Sequence, residues 1–373
     1  MSISTITADH PDKLVLPGPL NSEKHISALD GLRGMAILLV VAFHYFYYAV
    51  PVFAVGWVGV DLFFVLSGYL ITKRLIENKD RKDRYKLFYT NRALRIMPLY
   101  YLVLILFYSS IYFLVEPQNF HRFDFYLNNK VDFFLFLQNG VFVKSMPLEP
   151  HLGHLWSLAI EEQFYLAWPL ILYTFYKKKH FINILWLSII AVLILRNILY
   201  FTDHLHKNTY YKHTFCRIDS IIIGALTYFL LLKPTNAKLL KWVGIIALLF
   251  VCTGLFVLQN AAPSSPFSTT VGYTAYAFLF ASVLGHVISY PNSKIARFFK
   301  LSFLRFTGKI SYGFYVIHVL VGVTLAVKIK NALQPAFPNW AKDISWIICF
   351  AVSYLLSIVS YYYFESFFLK FKK

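Results

Sequence analysis

The chain has 373 residues, 58% hydrophobic and only 14% charged, against roughly 45–50% apolar and 25% charged in soluble domains, which excludes an ordinary water-soluble globule. Lys and Arg outnumber Asp and Glu by 36 to 18, a formal net charge of +18. In a soluble protein that excess would suggest nucleic acid, so the placement of the basic residues decides its meaning.

Residues 1–28 are polar, contain Pro11, Pro17 and Pro19, and lack the basic start and apolar core of a cleaved signal peptide, so they read as a cytoplasmic tail. Ten apolar spans follow at 34–50, 56–72, 99–115, 156–176, 181–199, 214–232, 242–258, 270–289, 310–327 and 344–365, each near the ~20 residues that cross a bilayer as a helix. A weaker apolar stretch, 131–143, is too short to cross and reads as a re-entrant or surface-lying segment of an outward loop, 116–154. The expected architecture is all-α and polytopic, with one membrane domain over 29–367 and a basic tail over 368–373.

The charges orient these spans. Loop 73–98 holds nine Lys or Arg, and with Lys177 to Lys179, Lys233, Lys238, Lys241, five in 290–309, and Lys370, Lys372 and Lys373, one set of alternating segments carries 23 basic residues against eight on the other. The positive-inside rule then predicts cytoplasmic termini, and an eleventh crossing at 131–143 would put the later basic loops outside. Orientation and anionic lipid account for the net charge, so no nucleic-acid partner is expected. Cys216, Cys252 and Cys349 have no metal-ligand spacing; the last two read as core residues of apolar helices, and no metal is expected. No internal repeat is evident.

Ionisable groups inside spans are expensive in hydrocarbon and are functional candidates. They are His44, Asp61, Glu161, Glu162, Arg196, Arg217, Asp219, His286, His318 and Glu365. Arg33, Ile37, Val40 and His44 follow a 4-3-4 spacing, which puts Arg33 at the cytoplasmic mouth and His44 deep inside on one helical face, about 16 Å apart along the axis. Asp61 lies early in the returning span at a similar depth, so a His44–Asp61 pair is expected, with the carboxylate orienting a general base. Glu161 and Glu162 enter from the outer side to similar depth, and His318 lies in mid-span with Ser311 and Tyr315 on its face. Arg196 reads as a snorkelling residue near a helix end and His286 as structural. Arg92 and Arg95, three apart on one face beside Pro98, suit a phosphate-bearing ligand from the cytosol, or equally lipid headgroups.

The strings ISALDGLRGMAILLVVAFHY, GVDLFFVLSGYLI, NRALRIMPLYYL, HLWSLAIEEQFYLAWP, CRIDSIIIGAL and GKISYGFYVIHVL, in this order, together resemble the acyltransferase-3 family of integral-membrane acyltransferases, from about Ile26 to Phe368. The resemblance implies transfer of an acyl group, usually acetyl from cytosolic acetyl-CoA, to a carbohydrate or related acceptor at or beyond the membrane. It maps the family's first-span histidine to His44, its Arg-x-x-Arg to Arg92 and Arg95, and its Trp-Ser-Leu element to Trp156, Ser157, Leu158, Glu161, Glu162, Phe164 and Tyr165. Arg33, Asp61, Arg217, Asp219 and His318 also fall on matching elements. Many relatives end the last span in Glu-x-Pro, whereas here Ser366 and Phe367 follow Glu365.

On this reading His44, Asp61 and Glu162 are catalytic, His44 acting either as a base on the acceptor hydroxyl or as a nucleophile that carries the acetyl group across, and Arg33, Arg92 and Arg95 hold the phosphates of acetyl-CoA. Glu161, Trp156, Tyr165, Arg217, Asp219 and His318 form the acceptor side, with Arg217 and Asp219 gating or shaping an outer cavity. The expected setting is a bacterial cytoplasmic membrane, and the chain is expected to act alone or to hand acyl groups to a separate extracytoplasmic partner. The competing class is a transporter or flippase, since buried charge pairs also mark substrate pathways. A lipid acyltransferase would rest on His25 and Asp30 alone. Nucleotide-binding glycine motifs and Gly-x-Ser-x-Gly are absent from the sequence.

Overall fold

Ten long helices occupy the ten expected positions in the computed structural model: α1 (Ser27–Phe46), α2 (Gly59–Glu77), α3 (Arg84–Leu114), α4 (Trp156–Phe175), α5 (Phe181–Phe201), α6 (Thr214–Leu231), α7 (Asn236–Leu258), α8 (Tyr273–Ser289), α9 (Ser311–Leu333) and α10 (Ala341–Val359). The structure describes residues 26–145, 147, 150–202 and 210–373, and no strand occurs among them. The tail expected over 1–28 lies almost wholly outside the described residues, as does His25. Nine of the helices are long and apolar enough to cross a membrane. The tenth, α4, has 20 residues but carries Glu161, Glu162 and Gln163 in succession. The protein is therefore all-α and multi-pass.

Helix α2 is buried on nearly every side, and α1, α6 and α8 pack against it. At the α2–α6 crossing a Cβ on Gly68 would lie 1.9 Å from the Ile221 carbonyl oxygen, and one on Gly224 would lie 2.1 Å from that of Val65. Small residues let the backbones approach this closely, as is common where lipid offers no hydrophobic drive between helices. Gly68→Val is therefore expected to force the pair apart and lower stability by about 1–3 kcal/mol, seen as reduced thermal stability of the detergent-solubilised protein. The outer ring is apolar on its outside: Leu187, Ile190 and Ile194 on α5, Trp242, Ile246 and Leu249 on α7, and Ile347 and Leu355 on α10 are exposed. Cys252, expected in the core, belongs to this exposed face of α7, whereas Cys349 is buried. A long apolar helix does not reveal from its composition which side meets lipid.

Two boundaries differ from the sequence expectation. Helix α1 begins at Ser27 and ends at Phe46, so His44 stands in its last turn rather than deep inside; Asp30 and Arg33 lower the hydropathy of its first turns without breaking the helix. Helix α3 starts fifteen residues before the apolar run and continues through Pro98, although that proline cannot donate to the Leu94 carbonyl. The segment 131–143 forms two short helices, Lys130–Phe134 and Gln138–Lys144, neither long enough to cross. Phe133 and Phe142 are buried, Tyr100 and Tyr101 of α3 donate to the Phe133 and Phe134 carbonyls at 2.7 and 3.1 Å, and Gln138 donates to the Leu155 carbonyl just before α4 at 2.8 Å. The segment is thus a packed cap on α3 and α4.

Candidate functional site

Two cavities meet inside the bundle. One, with about 710 Å³ of empty space including its mouth, is lined by Arg33, Ser67, Arg92, Arg95, Ser157, Glu161, Tyr165, Ser311 and Tyr315 among others. The other, of about 900 Å³, is rimmed by Arg74, Asn78, Arg84, Asn91 and Lys372. They share Arg33, Leu70, Arg92 and Arg95, so the three arginines form the passage between a basic vestibule and an inner chamber. Arg33 lies 3.4 Å from Asp30, and Arg92 stands 4.6 Å from the centre of the Tyr165 ring. Neither Arg92 nor Arg95 forms an ion pair among the described residues. In the vestibule, burial pushes the Lys372 ammonium down to about 7, with Arg95, Arg92, Arg33 and Arg74 adding to the effect. That is a concentrated positive field with spare donors.

Deeper in the chamber, Ser67 of α2 donates to Glu161 of α4 at 2.7 Å. Tyr315 of α9 donates to the His154 carbonyl at 2.7 Å, so its oxygen is left to accept from the Ser157 hydroxyl at 2.5 Å. Tyr315 also leads out of the chamber: its ring centre is 5.7 Å from that of His318, which is 5.0 Å from that of His44. His318 is wholly buried and His44 only partly. The chamber and the partly exposed histidine therefore stand on either side of Tyr315 and His318.

The expected His44–Asp61 pair does not form. Asp61 accepts from Arg217 at 2.8 Å and from Ser220 at 3.0 Å, because the α2–α6 crossing brings it to the guanidinium instead. His44 meets the Val40 carbonyl at 2.8 Å and His318 at 3.4 Å. Arg217 and Asp219 line neither cavity; both are fully buried. The Arg217 guanidinium lies 4.0 Å from the Tyr273 ring centre, 4.9 Å from Tyr211 and 5.9 Å from Trp156, so Trp156 belongs to an aromatic cage and not to the chamber wall. Asp219 accepts from Thr274 at 2.6 Å and pairs with Arg196 at 3.1 Å. Arg196 does not snorkel: it is fully buried and also donates to the Cys216 carbonyl at 2.7 Å.

Glu161 and Tyr165 line the chamber and Glu162 does not; one buried oxygen of Glu162 has no hydrogen-bond partner. Glu365 is buried and accepts from Ser360 at 3.0 Å. His286 lies 3.1 Å from the Ser293 hydroxyl. Sequence reasoning passed over His154, whose Nε2 is 3.1 Å from the Val316 carbonyl and whose ring is 5.2 Å from that of His318. It precedes a span, so a search confined to ionisable groups within spans misses it; its place two residues before Trp156 was the available signal. No group of three or more metal-ligating side chains occurs among the described residues.

A family described as an acyltransferase domain matches residues 26–363. The chain is 32% identical over 340 residues to the peptidoglycan O-acetyltransferase OatA of Listeria monocytogenes, covering 84% of this chain and 52% of that protein. It is 28% identical over 320 residues to the O-acetyltransferase OatA of Staphylococcus aureus, covering 80% of this chain and 50% of that protein. The chain thus spans about half the length of these relatives. No solved structure matches it.

Proposed function

Because the chain belongs to the acyltransferase-domain family matched over residues 26–363, we propose that it transfers acetyl from acetyl-CoA to a hydroxyl of a cell-wall carbohydrate. The observation that carries this reading is the passage formed by Arg33, Arg92 and Arg95 between a basic vestibule and an inner chamber. Arg92 and Arg95, which form no ion pair among the described residues, are suited to a polyphosphate, with Arg33, 3.4 Å from Asp30, beside them. With the phosphates there, the thioester arm lies in the chamber and its acyl end reaches Tyr315, next to His318 and His44. The basic end is cytoplasmic by the positive-inside rule, and the acceptor comes to His44 from the opposite side of a bacterial cytoplasmic membrane, directly or through a separate extracytoplasmic partner.

The chemistry asked of the residues is modest. The unprotonated His44 nitrogen takes the proton of the acceptor hydroxyl as its oxygen bonds to the thioester carbonyl carbon. The C–S bond breaks, the sulfur leaves with its electron pair, and the imidazolium returns the proton to it, giving the ester and the free thiol. Phe63 and Tyr315, with ring centres 6.2 Å apart, border the region between chamber and histidine. The transporter alternative loses its main support, since the Asp61–Arg217 and Asp219–Arg196 pairs are sealed away from both cavities.

The test is transfer of labelled acetyl from acetyl-CoA to cell-wall glycans in membranes containing this chain; absence of label with intact, folded protein overturns the reading. A second result is expected from the vestibule. Lys372, held at about 7, is largely neutral at pH 8, and a bound polyanion favours its charged form, so coenzyme A binding should take up protons and tighten as pH falls from 8 toward 7. Calorimetry in buffers of different ionisation enthalpy measures that uptake, and Lys372→Met should lose it.

A further inference from the structure

We propose that His318 is a positioning residue that holds the proton of His44 on Nδ1, leaving Nε2 as the nitrogen that acts. The proposal rests on His44 being the acting residue, and it follows from which atoms can accept a hydrogen bond.

His318 Nδ1 lies 2.7 Å from the Tyr315 carbonyl oxygen and 3.1 Å from that of Phe314. Carbonyl oxygens only accept, so this nitrogen carries the hydrogen. In the neutral ring Nε2 is then a bare lone pair, and it faces His44 Nδ1 at 3.4 Å. His44 Nδ1 is also 2.8 Å from the Val40 carbonyl oxygen, another atom that only accepts. One arrangement satisfies every contact: His44 Nδ1–H is shared between the Val40 carbonyl and the His318 lone pair, and the His44 Nε2 lone pair is left free. The hydrogen bond made by one ring nitrogen sets the state of the other.

The surroundings fix His318 in this state. It is wholly buried on α9, and the Tyr45 hydroxyl donates to its backbone carbonyl while meeting Ser353 of α10 at 2.9 Å. Two further side chains form its walls. Tyr315 is tied to Ser157 and His154 as described, and His154, its Nε2 turned to the Val316 carbonyl, puts a second imidazole edge against the His318 ring. By contrast His44 is partly exposed in the last turn of α1. A histidine held there by a carbonyl one turn back would be free to exchange to the Nε2–H form that an unconstrained side chain favours in water. The 3.4 Å separation is long for a hydrogen bond; such contacts commonly tighten when substrate binds. As His44 becomes an imidazolium, its Nδ1–H donates more strongly and the His318 lone pair is already in place to accept.

The test uses the full chain, labelled with ¹⁵N-histidine in lipid nanodiscs, with His44 assigned by its loss in His44→Gln. His318→Phe keeps the ring volume and removes the acceptor; His318→Asn keeps an acceptor oxygen. In the parent protein His44 should show a protonated Nδ1 and a bare Nε2. His318→Phe should move it toward the opposite form and reduce turnover about tenfold or more with little change in donor KM, and His318→Asn should recover part of both. A His318→Phe protein that keeps the Nδ1–H form, or that loses turnover with the tautomer unchanged, overturns the proposal. Should the phenylalanine variant fail to fold, the asparagine variant decides alone: an Nδ1–H form with turnover above a tenth of the parent supports the role, and the opposite form with undiminished turnover overturns it. The tautomer is read without any acceptor, so a parent protein that is inactive on all glycans but shows the Nδ1–H form removes the acetyl-transfer reading and leaves standing only the control of the His44 tautomer by His318.

Discussion

His44→Ala is expected to lower acetyl transfer by about 10²–10⁴-fold, the usual range for loss of a general base, with the donor still binding. The two effects separate because Arg33 and His44 are about three turns apart on one helix, and the lining of neither cavity includes His44. Arg33, Arg92 and Arg95 remain in place in the variant. Turnover with labelled acetyl-CoA, beside coenzyme A binding by the same preparation, checks this. A folded His44→Ala protein that turns over at the parental rate would remove the histidine from the mechanism.

The second large effect falls on stability. Arg217→Leu leaves the Asp61 carboxylate buried beside Ser220 alone, and removing one member of a buried ion pair typically costs about 3–5 kcal/mol. The arginine is also encircled by Tyr273, Tyr211 and Trp156, so the loss includes contacts to ring faces. Removing both charges, in Arg217→Leu with Asp61→Leu, should recover much of the loss, since an apolar pair of similar volume pays no desolvation penalty. Denaturation of the four proteins in one detergent measures the coupling. If Arg217→Leu unfolds like the parent while activity disappears, the pair belongs to the reaction and not to the scaffold.

The helices were legible because long apolar runs and their charged ends follow from the thickness and charge of the bilayer. The same signal could not find the first turns of α1 or the basic half of α3, where polar residues continue a helix that hydropathy ends. The arginine passage was legible in part: Arg92 and Arg95 share a face by spacing alone and Arg33 was grouped with them by the family resemblance, but that all three line both cavities follows only from the tertiary structure. The neighbour expected for His44 was not the one the structure gives it. Two residues at similar depth on consecutive spans can pair, yet the glycine crossing of α2 and α6 turns Asp61 toward Arg217, a contact 156 positions away in sequence. His318 was noticed as a mid-span histidine, but its relation to His44 depends on α9 lying against α1 across 274 positions. Burial likewise separated Arg196 from the snorkelling residue it resembled in sequence. Hydropathy records how apolar a segment is and carries no information about which helix faces it.

Helix α1 has one more consequence. The same uninterrupted rod bears Arg33, proposed to grip one end of the donor, and His44, proposed to work at the other, eleven residues further on. Their spacing is set by helical rise, about 16 Å, and cannot shorten without breaking backbone hydrogen bonds. On the proposed roles the rod is a ruler, and a donor would be selected by the length of arm between phosphates and thioester as well as by charge. On the same reading a short acyl phosphate or a truncated thioester is expected to satisfy one end of this gauge and not both.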